Sequence, residues 1–267
     1  MLWLVLTLTG ATFAADNEPL AKGIQDNSFL VEEAYNQEEG VVQHIINVPI
    51  GFTNGSAEAI PNFTQEWPFF GQTHQLSYTA AYDFEEHQNG FGDVRLNYRL
   101  QALMETDRWP AFAPRMTLVI PTGDEHKGLG IGGVGYETNL PFSKIVSDRW
   151  TVHFNAGMSF FPDVHGHDLT NYNLGASAIY AVSRDFNLML ETVSGWGERI
   201  EFSGHGSITN HMTNVLISPG ARYAFNCPND LQIVVGAAVP IGLTSDSPDW
   251  GLFLYLSFEH PFYRPRK

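Results

Sequence analysis

Between Asp163 and Asp168 the chain reads Asp-Val-His-Gly-His-Asp, two imidazoles at i and i+2 flanked by carboxylates. Both groups are metal donors, but a site needs a third ordered ligand, and none is identifiable. A solvated loop tip is the reading, with no metal. Gly128-Leu129-Gly130-Ile131-Gly132-Gly133 matches GxGxxG. A dinucleotide fold requires a helix to open there, whereas the strand-like run Val134–Phe142 follows. A P-loop fails as well, because Leu129 stands where the lysine should be. The segment is therefore expected to be a flexible external loop that holds no cofactor. Ser207 and Ser218 lie near His205 and His211, the residue types of a nucleophile and its base. No motif orients them, so no catalytic residue is assigned. What remains is a set of arginines and glutamates whose spacing places them all on one face of predicted strands.

The 267 residues carry a formal charge of −15, with hydrophobic residues at 43%, aromatics at 13% and charged residues at only 16%. Nothing in such a chain neutralises a run of phosphates, which excludes nucleic acid as a partner. Cys227 is the single cysteine, so neither a disulfide framework nor a thiolate metal cluster is available. Mean hydropathy of −0.14 excludes a bundle of membrane helices. Residues 1–15 are apolar and uncharged and end on small residues, as a secretory signal does. No Lys or Arg precedes the apolar run, as if the sequence began inside that signal. The stretch is also shorter than a membrane anchor needs to be.

Apolar side chains recur with period two. In Trp150–Phe160 the even positions are Trp, Val, Phe, Ala, Met and Phe, and the odd ones are Thr, His, Asn, Gly and Ser. Val94–Leu103, Leu252–Glu259, Leu76–Phe84, Arg115–Ile120, Val134–Phe142, Tyr172–Val182, Phe186–Trp196, Val215–Phe225 and Leu231–Ile241 repeat the pattern. Val42–Phe52 and Phe63–Phe69 follow it less cleanly, because His44 and Gln65 fall on the apolar side. About twelve strands of roughly ten residues result, the length a tilted strand needs to cross a bilayer. The apolar faces carry no charge. The opposite faces carry Glu66, Asp83, Arg95, Arg99, Arg115, Glu137, Glu191, Arg222 and Glu259 but no Lys, which suits a confined interior.

Aromatic pairs such as Tyr172 and Tyr180 stand about 20 Å apart along the membrane normal at the usual strand rise and tilt, close to girdle spacing. Connections alternate between short turns, such as Ser147-Asp148-Arg149 and Ser183-Arg184-Asp185, and longer stretches at Thr122–Gly133, Pro162–Thr170 and Gly197–Met212. Together these predict an all-β, transmembrane, antiparallel up-and-down β-barrel with short turns and both termini on the periplasmic side of a bacterial outer membrane. The expected divisions are a signal peptide at 1–15, a periplasmic or plug segment at 16–40, the barrel at 41–262 and a tail at 263–267. Phe29, Leu30, Val31 and Tyr35 would be wasted in a disordered leader, so docking inside the barrel is the favoured reading of 16–40.

Several stretches resemble the outer-membrane barrel family of the MetA-pathway of phenol degradation. They are Asn27 to Gln37 running into Gly40-Val41-Val42-Gln43-His44, then Thr64-Gln65-Glu66-Trp67-Pro68, His74-Gln75-Leu76-Ser77-Tyr78, Pro121-Thr122-Gly123 and Asn139 to Lys144. The resemblance implies an outer-membrane barrel that passes small hydrophobic or aromatic compounds. One departure concerns assembly: barrels usually finish on an aromatic residue, whereas Phe262 is followed here by Tyr263-Arg264-Pro265-Arg266-Lys267.

The functional expectation is a passive, non-enzymatic channel with membrane lipids and a small solute as partners, no cofactor, and an oligomeric state left open. Glu66, Arg95, Arg99, Arg115, Glu137, Glu191, Arg222 and Glu259 are its lumen residues, pairing across the lumen, setting a constriction, or both. A lumen of this size is narrow or plugged. The alternatives are a lipid-modifying barrel enzyme and a soluble extracellular β-sandwich that binds a ligand.

Overall fold

The computed structural model describes residues 18–262 apart from 25, 85–88, 204 and 205, and only the backbone of 201–203, 206 and 207. The expected signal peptide, the tail at 263–267 and His205 lie outside the described residues. Twelve strands close into one antiparallel sheet. They are β1 (Val41–Thr53), β2 (Ser56–Ala59 continuing as Asn62–Pro68), β3 (His74–Phe84), β4 (Asn89–Phe91 and Val94–Leu100), β5 (Ala111–Phe112 and Arg115–Ile120) and β6 (Gly135–Asn139 and Phe142–Ile145). The second half comprises β7 (Trp150–Val164), β8 (His167–Ala181), β9 (Phe186–Ser203), β10 (Gly206–Cys227), β11 (Leu231–Ala238 and Ile241–Gly242) and β12 (Trp250–Pro261). Each strand pairs with the next, and β1 pairs with β12 from Val41 opposite Pro261 to Phe52 opposite Trp250. Closure removes the sheet edges, which a bilayer would leave without hydrogen-bond partners.

The interruptions of β2, β5, β6 and β11 contain Pro61, Pro114, Pro141 and Pro240. Proline has no N–H to donate to the ladder, so pairing lapses there. Each proline carbonyl still accepts, from Tyr82, Leu100, Ala113 and Gly251 respectively. The walls therefore stay sealed across the breaks.

The barrel is polar within and apolar without, which excludes an open sandwich. Met116 and Phe154 on the outer face are 65% and 54% exposed, while inward Glu191 and His153 are 1% and 2% exposed. Only surrounding hydrocarbon makes that distribution favourable. Aromatic rings pair on the outer face near both rims. Trp150 and Tyr180 lie 5.0 Å apart near the short turns, and Tyr172 and Trp196 lie 6.1 Å apart near the longer connections.

Two expected loops are strand instead. β7 and β8 continue to a two-residue turn at His165-Gly166, both at positive φ, as a type I′ hairpin requires. β9 and β10 stay paired up to Ser203 opposite Gly206. The polar sequence hides this extension, since above the bilayer the backbone ladder needs no apolar alternation to persist.

Candidate functional site: a lumen threaded by the N-terminal segment

Residue 24 and residues 26–37 lie within the barrel without regular secondary structure, and Asp26, Ser28, Phe29, Val31, Glu33, Ala34, Asn36 and Gln37 are buried. A buried backbone outside any ladder must find its hydrogen bonds elsewhere. Inward side chains of the wall supply them. Glu191 Oε1 accepts from Leu30 N at 3.0 Å and Val31 N at 3.1 Å. Arg222 Nη1 donates to the carbonyls of Asp26 and Asn27 at 2.8 and 2.7 Å. Arg99 donates to the carbonyls of Glu33 and Tyr35 and to Asn36 Oδ1. Amide side chains do both jobs, since each carries a donor and an acceptor. Asn155 accepts from Glu32 N and donates to Glu32 O, and Gln101 accepts from Asn36 N and donates to Ala34 O.

Apolar contacts fix the same segment. Phe29 packs on Phe253 and Tyr255, with centroids 5.5 and 5.2 Å away, within a cluster that also holds Ile24, Ile45, Met189 and Val234. Burying such a ring contributes about 2 to 3 kcal/mol. Room for it comes from Gly236, where a Cβ would stand 2.3 Å from Phe29 Cζ. Beside it, the Asp26 carboxylate accepts from Gln43, Tyr255 and Ser257. Burial pushes the Asp26 carboxyl above its ordinary range, against the pull of Arg222 and these donors. Burial likewise raises Glu33 to about 8, with Asp26 and Glu66 adding to the shift and Arg99 and Arg222 opposing it. Tyr35 donates to Glu105 Oε2, and burial together with that carboxylate raises the phenol.

The charged residues expected in the lumen thus divide into two groups. Arg99, Glu191 and Arg222 hold the backbone of the segment. Arg115 pairs with Glu32 at 2.5 Å, and Glu259 accepts from Gln37 at 3.2 Å. Glu66 accepts from Gln75 at 2.8 Å and lies 4.0 Å from Arg99. Arg95 and Glu137 pair with each other along the wall, on either side of β5, at 3.5 Å. Sequence reasoning missed Gln43, Gln75, Gln101, Asn155, Ser143 and His153. Their signal was there: each is a polar residue at an inward position. Ser143 Oγ is hydrogen-bonded to His153 Nδ1 at 2.7 Å, but it also accepts from Ala34 N and is 1% exposed, so the pair supports the segment and offers no open nucleophile. Ser218 is fully buried opposite Glu191. His211 stands seven residues away along the same strand, about 23 Å at the usual rise, too far to serve as its base.

Two cavities flank the segment. One of about 1000 Å³ opens at the short-turn end and is lined by Lys22, Glu33, Glu105, Lys144, Arg149 and Glu259. The other, about 680 Å³, lies toward the longer connections and is lined by Asn62, Arg95, Asn97, Arg115, Glu137 and Phe161. Over the second folds the glycine-rich loop, which is held in place and does not range freely outside. Asp93 accepts from Gly123 N at 3.0 Å and Ile131 N at 2.9 Å, and Leu129 is 6% exposed. His165 Nε2 lies 3.8 Å from Glu125 Oε2 and ties this loop to the β7–β8 turn.

Among solved structures the chain is similar to an outer membrane channel from Pseudomonas putida F1, with a TM-score of 0.63 and 11% identity over 85% of this chain and 97% of that one. It is also similar to the NanC porin, with a TM-score of 0.53 and 10% identity over 80% and 98% of the two chains. No curated protein matches the sequence. A closed barrel with an apolar belt is the architecture of the bacterial outer membrane, and the fold of both neighbours agrees. Residues 27–259, nearly the whole barrel together with the buried segment, match one family model, so the chain belongs to the family of the MetA-pathway of phenol degradation.

Proposed function

We propose that this protein is a passive, non-enzymatic outer-membrane channel for small hydrophobic or aromatic solutes, closed at rest by residues 24–37. The observation that carries this reading is the pair of cavities with the N-terminal segment hydrogen-bonded between them. The first cavity is lined by Glu33, Tyr35, Asn36 and Gln37 of that segment, and the second reaches it through Arg115, the partner of Glu32, so passage from one to the other requires the segment to move. The short-turn rim, with both termini, faces the periplasm, as in single-chain barrels of this architecture. The family's link to phenol degradation supports an aromatic solute, and the apolar lining of the second cavity by Val119, Ile131 and Phe161 would receive a ring.

Planar-bilayer conductance tests this. The full chain should conduct weakly, a variant lacking residues 18–37 should conduct strongly, and added phenol should reduce the ion current of the latter. A folded barrel that stays closed without the segment overturns the channel.

A further inference from the structure

Five carboxyl groups surround the seated segment: Asp26 and Glu33 on it, Glu66 on β2, Glu191 on β9 and Glu259 on β12. Two guanidiniums stand among them. Arg222 on β10 donates to the carbonyls of Asp26 and Asn27. Arg99 on β4 divides its donors between the carbonyls of Glu33 and Tyr35 and the amide oxygens of Asn36 and Gln75, with Glu66 4.0 Å away. The other charges facing the segment are already matched. Arg115 on β5 takes Glu32, and Lys144 on β6 takes Glu105 of the β4–β5 turn at 3.0 Å. His153 on β7 bonds Ser143 on β6, and Tyr255 on β12 donates to Asp26. The inward neighbours on β1, β3 and β8, namely Gln43, Gln75 and Ser177, are neutral.

A largely buried cluster with more carboxylates than cations is unfavourable when fully ionised, because burial weakens the screening of the repulsion by water and salt. We propose that the N-terminal segment is a proton-controlled plug, seated while the excess carboxyls carry protons and expelled when they ionise. The proposal rests on the reading that residues 24–37 close the lumen. Its sign follows from linkage. In the seated state Glu33 holds its proton up to about pH 8, against an ordinary carboxyl value of 4.5. The seated state therefore binds the extra proton throughout that window, and its advantage is lost as pH rises through it. Each proton released on opening changes the closed-to-open ratio about tenfold per pH unit. Acid closes the channel and alkali opens it.

The test is single-channel recording of the full chain in planar bilayers between about pH 5 and about pH 9. Open probability should rise about tenfold per unit over part of that range, and Glu33→Gln, a fixed neutral side chain, should keep the channel closed to higher pH. Glu259→Gln provides a second neutral variant if the first fails to assemble. A lock separates the two levels of the reading. Ser28 Oγ and Ser177 Oγ lie 2.7 Å apart, so Ser28→Cys with Ser177→Cys, in a Cys227→Ser background, should form a disulfide that tethers the segment to β8. Oxidised, this variant should be closed at every pH, and reduction should restore the pH step. Full conductance in the oxidised form overturns the plug itself. A reducible lock on a channel whose opening is flat with pH, or falls with it, overturns the proton control alone.

Discussion

The ring of Phe29 stacks on that of Phe253 with centroids 5.5 Å apart, so a residue of the N-terminal segment fills an apolar patch on the inner face of β12. Most of the described inner surface is polar, and this patch is where the hydrophobic effect can hold a plug. Phe29→Ala leaves a void there and should weaken seating by about 3 kcal/mol. That corresponds to an open-to-closed ratio raised roughly 100-fold, read as open probability in planar bilayers.

The same contact depends on Gly236, whose missing side chain admits the ring. Gly236→Ala should therefore mimic the loss of Phe29, costing about 1 to 3 kcal/mol by overpacking. Adding Phe29→Leu should recover most of the effect. Two variants that act independently in a double-mutant cycle would show that ring and glycine do not share the space.

Glu191 accepts from two consecutive backbone amides, Leu30 N and Val31 N. Glu191→Ala leaves both amides without that acceptor and should raise open probability by an amount equivalent to about 2 kcal/mol. Glu191→Gln keeps an acceptor oxygen for the two amides and should open less than the alanine variant.

Arg95 and Glu137 form a partly solvated pair in the second cavity, with side-chain exposures of 39% and 21%. Such pairs contribute within about 1 kcal/mol to stability. Arg95→Gln should leave thermal unfolding nearly unchanged. It should nevertheless move the reversal potential in a salt gradient toward cation preference, because Glu137 stays without its cation in the path.

Asp93 holds the glycine-rich loop through Gly123 N and Ile131 N. Asp93→Ala should free the loop to enter the trypsin site at the already exposed Lys127, with cleavage roughly tenfold faster for about 1.4 kcal/mol of lost anchoring. Cleavage at the wild-type rate would show that Leu129 packing holds the loop by itself.

How far the sequence reaches depends on how local the cause is. Alternation in Trp150–Phe160 or Val94–Leu100 is a property of neighbouring residues, so strand, face and outward belt were legible from it, and the strands near the short turns fall where the pattern puts them. The upper halves of β9 and β10 were not legible, because pairing above the bilayer requires no apolar period. Arg99, Glu191 and Arg222 were identified as inward charges, but their partners were not, since the expected cross-lumen pairs are replaced by bonds to the segment's own backbone.

Length, charge, period-two patterning and the spacing of aromatic rings were enough by themselves to determine a closed barrel with a polar interior and an apolar exterior. Those features depend on which way each side chain points, and strand geometry fixes that within a few residues. What fills the interior was decided only by the tertiary structure. Leu30 meets Glu191 across 161 positions of sequence and Arg222 meets Asp26 across 196. Such partners become neighbours only once twelve strands have closed and their stagger has brought particular inward side chains to one level.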